Sequence, residues 1–288
     1  MAGGTADANV LARLRAMFPE SSGRSLKQWL AQGRVRVDGE VVRDGRATVG
    51  PDRTVVLSPQ GRVVFPSALR LVHEDDDLLV IDKPAGLLSI ATQRERGRTV
   101  YRLVWDYLAA ASPPRRPFIV HRLDRETSGL LVFAKSPRVK QHLQTQFEAR
   151  TVERMYVAVV EGRVSEDRGR LSSWLTEDRG LRVRSRGGRR GRDAGRHAIT
   201  DYRVLERRRD ATVLELRLGT GRRQQIRVQL AELGHPVVGD LVHGSQQSPI
   251  RRLCLHAARL GFVHPATGAP ARFESPPPAA FRRIGARA

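Results

Sequence analysis

From residue 71 onward the chain is cut into short apolar or alternating runs, at 78–81, 130–134, 156–160, 199–204, 212–218 and 260–263. Glycine, proline and charged residues separate them. Helical spacing of apolar residues appears over three stretches of the same region, 100–110, 138–148 and 224–233. Many short strands with few helices predict an α+β domain built on a mixed, largely antiparallel sheet. A content of 40% hydrophobic residues is enough for a sizeable core, and 288 residues leave room for a second, smaller domain.

That smaller unit is predicted at 9–58. Leu11, Leu14 and Phe18 recur at helical spacing. "RSLKQWLAQG" then puts Leu26, Trp29 and Leu30 on one face, with Gly33 as a helix stop. "RVRVDGEVV" alternates about Asp38-Gly39, a strong hairpin signal. Its exposed positions are largely basic: Arg24, Lys27, Arg34, Arg36 and Arg43. A small α/β unit of two short helices feeding a basic hairpin resembles the alpha-L (S4-like) module, which binds RNA. The bland alternative is a solvated basic surface. "PQGRVVFPSALR" (59–70) reads as a linker, and the second domain as 71–288.

Charge narrows the partners. Lys+Arg number 51 against 30 Asp+Glu, a net charge of +21, and an excess this large usually faces a polyanion such as nucleic acid. The segment "RGLRVRSRGGRRGRDAGR" (179–196) holds eight arginines and five glycines. It is expected to be a mobile loop outside the core, with Arg182, Arg184, Arg186, Arg189 and Arg190 as an electrostatic arm for RNA. A single cysteine, Cys254, excludes an internal disulfide and a cysteine-based zinc site. The N-terminus lacks the pattern of a secretory signal, and no apolar run reaches membrane-spanning length, so a soluble cytoplasmic protein is expected.

The chemistry centres on "VHRLDRETSGLLVFAK" (120–135), where one carboxylate, Asp124, lies between Arg122 and Arg125 in a polar turn opening onto a strand. Such a turn presents a side chain to a cleft from a rigid sheet. A carboxylate flanked by guanidinium groups suits an anionic nucleophile or base and not a general acid. A turn aspartate paired to an arginine for structure alone fits the segment equally well.

"HRLDRETSGLLVFAKS" resembles the signature of the RluA-type pseudouridine synthases. The similarity continues in order through "LLVIDKPAGLLS" (78–89), "RMYVAVVEG" (154–162), "LGTGRRQQIRVQLAELGHPVVGD" (218–240) and "LHAARLGFVHPATG" (255–268). It covers residues 71–278. The resemblance implies that Asp124 is the catalytic nucleophile and that Tyr156 lies against the target base. Arg227 would pair with Asp124, and Arg122 would fill the space left when the nucleotide is extruded from its helix. Uridine inside paired RNA is unreachable without such flipping. The chain departs from the family pattern at Arg154, where lysine is usual, and at Arg223, Gln224, Gln229 and His243.

The implied reaction re-joins uracil to the same sugar carbon through C5, so it consumes no cofactor. The sequence has no phosphate-binding Gly-rich loop, no dinucleotide fingerprint and no His/Cys/carboxylate run at metal-ligand spacing. His73, His235, His256 and His264 read as polar packing. An RNA glycosylase that releases the base, and a non-catalytic RNA-binding or ribosome-assembly protein, are the competing classes. The intact Asp124, Tyr156 and Arg227 set favours the isomerase. Because an alpha-L module often accompanies synthases of large-subunit ribosomal RNA, rRNA is the first expected substrate and tRNA the second. The protein is expected to act as a monomer.

Overall fold

The computed structural model describes residues 8–58, 64–91, 98–111, 114–178, 183–185 and 195–285. The chain forms two compact units, Met1–Pro66 with Arg102–Arg116, and Ser67–Tyr101 with Pro117–Ala288.

In the first unit β1 (Ala8–Asn9) leads into α1 (Val10–Met17), where the Asn9 side chain accepts the Ala12 N–H as an N-cap. Ser22 caps α2 (Gly23–Ala31) in the same way, and the chain leaves that helix through Gly33 at φ 67°. β2 (Val35–Val37), β3 (Glu40–Val41), β4 (Thr48–Val49) and β5 (Val55–Leu57) follow. The β2–β3 turn has positive φ at both Asp38 and Gly39, the conformation whose twist suits a two-residue hairpin. Val10, Leu14, Leu26, Leu30, Val35, Val37, Val49 and Val55 make one apolar cluster. Consequently Arg24, Lys27, Arg36 and Arg43 are exposed, while Arg34 is half-buried over the Trp29 ring at 5.5 Å.

The second unit carries β6 (Arg70–Glu74), β7 (Leu78–Lys83), β8 (Phe118–Ile119) and β9 (Ser128–Ala134). Then come β10 (Glu153–Glu161), β11 (Arg168–Glu177), β12 (Val183–Ser185), β13 (Arg196–Arg207) and β14 (Ala211–Leu218). β15 (Leu255–Val263) and β16 (Pro270–Glu274) close the list. The unit's helices are α4 (Pro137–Glu148) and α5 (Gln225–Glu232), whereas α3 (Val100–Ala109) belongs from Arg102 onward to the first unit. Among the described residues these eleven strands form one sheet with a main path β12-β11-β13-β14-β10-β15-β9-β7-β6. β9 and β15 are its one parallel pair among them. The architecture is α+β and largely antiparallel, as the short runs predicted.

Gly129 makes the parallel join possible. At φ 115°, an added Cβ would lie 2.2 Å from the Ala257 carbonyl oxygen, so only glycine lets β15 approach directly behind the Asp124 turn.

Two features differ from the sequence reading. The strands extend past their apolar centres: the run at 199–204 lies inside a twelve-residue β13. Ladder hydrogen bonds use the backbone, so polar residues continue a strand that the hydrophobic pattern leaves off. The segment 179–196 is also not loop throughout. β12 pairs with β11 inside it, and Val183 packs with Leu175, Ala198 and Val228. Arg184 sits on β12, whereas Arg182, Arg186, Arg189 and Arg190 lie outside the described residues.

Candidate active site

Asp124 occupies the turn between β8 and β9, and this turn is fixed from behind by "KPAGLLS" (83–89). Lys83, at the end of β7, is fully buried. Its Nζ donates to the carbonyls of Pro84 at 2.8 Å, Leu87 at 2.8 Å and Arg125 at 2.9 Å. The Gly86 N–H donates to the same Arg125 carbonyl at 2.9 Å. Ser89 Oγ both donates to the Leu123 carbonyl and accepts the Leu123 N–H. The residues on either side of Asp124 are thus tied to a second chain segment, which leaves its carboxylate, 23% exposed, facing a cleft. Sequence reading gave the "KPAG" turn no such task; a lysine amid apolar residues in a motif was the available signal.

Burial pushes the Lys83 amine down to about 7, against the opposing pull of Glu126 and Asp124. Between pH 7 and its ordinary value of 10.5, the unfolded chain therefore holds a proton that the folded chain has lost. Raising the pH through that window stabilises the fold, and below pH 7 the full cost of the buried charge is present. Relative to Lys83→Met, wild type should gain stability between pH 7.5 and 8.5 at a slope approaching about 1.4 kcal/mol per pH unit. Denaturant titrations of the two proteins across that range measure it, and a flat difference would show that Lys83 keeps its charge.

The cleft has a volume of about 550 Å³ and is lined by Arg122, Asp124, Thr127, Tyr156, Gln224 and Arg227 among others. These come from the β8–β9 turn, from β10 and from the start of α5. Tyr156 is 9% exposed, and burial together with nearby Asp124 pushes its phenol up to about 12, so the hydroxyl keeps its proton at neutral pH. Arg122 is exposed at the mouth and makes no ion pair among the described residues.

Arg227 Nη1 lies 3.9 Å from Asp124 Oδ2, but its short contacts go elsewhere. Nε and Nη2 form a two-pronged bridge to the Asp240 carboxylate, each at 2.6 Å. Asp240 is fully buried at its side chain, so its charge needs this partner more than the part-exposed Asp124 does. Burial opposes the Arg227 charge, yet Asp240 and then Asp124 hold its pKa above the ordinary value. The pairing expected between Arg227 and Asp124 is therefore the outer contact of a triad. Asp240 escaped the sequence reading because thirteen residues and a turn separate it from Arg227.

The unusual helix residues have partners as well. Gln224, at φ 51° just before α5, accepts from His243 Nε2 through its Oε1 at 3.3 Å, and Arg223 pairs with Glu177 across the cleft. Gln229 is buried, receives the Thr200 hydroxyl at 2.6 Å and donates to Ser173 and the Ala198 carbonyl. These side chains form a satisfied polar layer between α5 and the sheet.

His235 and His256 bond to Glu161 and Ser128. Folding does bring Asp75, Asp77 and His264 within 4.8 Å of one another, a grouping their sequence spacing conceals. The Asp75 carboxylate is already taken by two backbone N–H groups and by His73 and His264, whose bonds outweigh desolvation and hold it at about 2. It ties the β6–β7 turn together.

A sheet that presents a carboxylate, a buried phenol and a triad arginine in one cleft, with the exposed Arg122 beside them, has the groups of an enzyme site open to an anionic substrate. The RNA pseudouridylate synthase family model matches residues 77–232, and an S4 domain model matches residues 10–55. The chain belongs to the RNA pseudouridylate synthase family: it is an isomerase. Ribosomal large subunit pseudouridine synthase D of Xanthomonas campestris is 38% identical, covering 94% of this chain and 86% of that protein. The protein of the same name from Pseudomonas aeruginosa is 37% identical over 92% of this chain and 87% of its own length. Among solved structures, human RNA pseudouridylate synthase domain containing 4 superposes with a TM-score of 0.61 at 25% identity, covering 74% of this chain and 90% of that one.

Proposed function

We propose that this chain converts uridine to pseudouridine in large-subunit ribosomal RNA, with Asp124 as the group that carries the chemistry. The observation that supports Asp124 most directly is its place: a carboxylate held rigidly on both flanks, opening on a cleft shared with Tyr156 and Arg227. The choice of ribosomal RNA is supported by the names of relatives that match over nearly the whole chain.

In this reading the target nucleotide leaves its helix and Arg122 takes the vacated space. The uracil lies against Tyr156, whose protonated hydroxyl is suited to handing a proton to or from the ring. Ionised Asp124 attacks the sugar carbon or takes a sugar proton; either route needs the anion. The bond from N1 breaks, the ring turns, and C5 joins the sugar. C5 loses its hydrogen and N1 gains one, so the balance closes without cofactor or energy source. Residues 9–58 act as an RNA-binding domain, 59–70 as a linker and 71–288 as the catalytic domain, with Arg24, Lys27, Arg34, Arg36 and the 179–196 arm following phosphates. No described helix is long and apolar enough to cross a membrane, and a ribosomal RNA substrate supports a cytoplasmic setting.

The test is a pseudouridine map of total RNA from cells with and without the protein. Loss of specific sites in large-subunit ribosomal RNA is the expected result. Loss confined to tRNA would move the substrate, and an unchanged map would overturn the assignment.

A further inference from the structure

Tyr156 also borders a second cavity, of about 520 Å³, whose lining does not include Asp124. Four arginines line it, Arg122, Arg150, Arg154 and Arg222, against one carboxylate, Glu148. None of the four makes an ion pair among the described residues.

Arg154 is the unusual member. Its Nε is buried and has no hydrogen-bond partner among the described residues, and its Nη2 reaches the Leu218 carbonyl only at 3.4 Å. The guanidinium lies over the Phe147 ring at 5.5 Å. Burial, reinforced by Arg150, lowers its pKa from the ordinary value. A buried donor without an acceptor is costly and asks for an explanation. Gly221 lets the guanidinium take this place, since a Cβ there would fall 2.5 Å from Arg154 Nη1. An arginine without a counter-ion among the described residues, in a cavity with three more, presents donors matched to an anion.

We propose that this cavity binds one of the two backbone phosphates flanking the extruded uridine, with Arg154 as its central donor. The inference rests on the isomerase reading and extends it. The two cavities share Arg122, Tyr156, Leu218, Gly221 and Arg222 along their border, so a strand whose base lies beside Asp124 continues into the arginine-lined cavity. A planar guanidinium matches two phosphate oxygens, and entry of the phosphate gives Nε the acceptor it lacks.

Arg154→Met removes a half-buried charge with no ion pair among the described residues, so its melting temperature should equal or exceed that of wild type. A structural arginine would give a lower one. RNA affinity of the variant should fall about tenfold or more, and its salt dependence should flatten by about 0.7 to 0.9 log units per log unit of salt. The phosphate itself is tested with two substrate RNAs, each carrying one uncharged methylphosphonate, 5′ or 3′ of the target uridine. One of them should weaken wild type as much as Arg154→Met does and leave Arg154→Met unaffected. Equal penalties in both proteins would overturn the proposal. A second arm needs no turnover: inorganic phosphate, compared with chloride at matched ionic strength, should raise the melting temperature of wild type more than that of Arg154→Met. An equal rise would place the bound anion elsewhere, whatever the enzyme's substrate.

Discussion

Asp124→Asn leaves a folded protein that binds RNA within a few-fold of wild type and turns over at background. The substitution keeps the size of the side chain and removes its charge, while Lys83 and Ser89 hold the turn through backbone groups that it does not touch. Affinity is set mostly by phosphate contacts made by other residues. Removing a group that acts in the bond-breaking step commonly costs on the order of a thousandfold or more in rate. Single-turnover kinetics beside a filter-binding titration separate the two quantities. Residual turnover within tenfold of wild type would take the carboxylate out of the chemistry.

Arg227→Leu is expected to be the most damaging change to stability as well as activity. It strands Asp240, whose side chain is wholly buried, and it removes the only cation near Asp124 on α5. Breaking a buried pair on one side costs roughly 3–5 kcal/mol, because the surviving charge has no solvent and no partner. Asp240→Leu should cost a similar amount by stranding Arg227. The double variant should be more stable than the sum of the two losses predicts, since neither charge is left behind. Activity should not return with that stability, because the cleft still lacks its arginine. Arg227→Lys keeps the charge and loses the two-pronged geometry, so it falls between. Chemical denaturation of the four proteins closes the cycle. Additive losses would mean that the 2.6 Å contacts to Asp240 carry no energy.

How far the sequence could be read depended on which forces left a mark in it. The strand centre 130–134 was visible because burial on both faces demands unbroken apolar residues, and 212–218 because Leu214, Leu216 and Leu218 alternate with Glu215 and Arg217. β11, "RGRLSSWLTE", was not, because α5 covers one of its faces and the other is exposed, which leaves only Leu171, Trp174 and Leu175 as apolar markers. Val183 alone marked β12, an edge strand surrounded by arginines. Asp124 and Tyr156 stood out through the motifs that contain them. The parts that hold them did not: Lys83 works on carbonyls 42 residues away and Asp240 through a contact across a turn. Residue identity is written locally, whereas partnership is fixed only when the chain closes.

The central claim is that the cleft isomerises uridine, and the hydrogen on C5 reports it directly. Unmodified large-subunit ribosomal RNA carrying tritium at C5 of its uridines, incubated with the purified protein alone, should release one tritium to water for each pseudouridine formed. No uracil should appear in solution, and the Asp124→Asn protein should release nothing above background. Tritium leaving the RNA as free labelled uracil, with none released to water, would make the protein a glycosylase, and full retention of tritium by wild type would contradict the account outright.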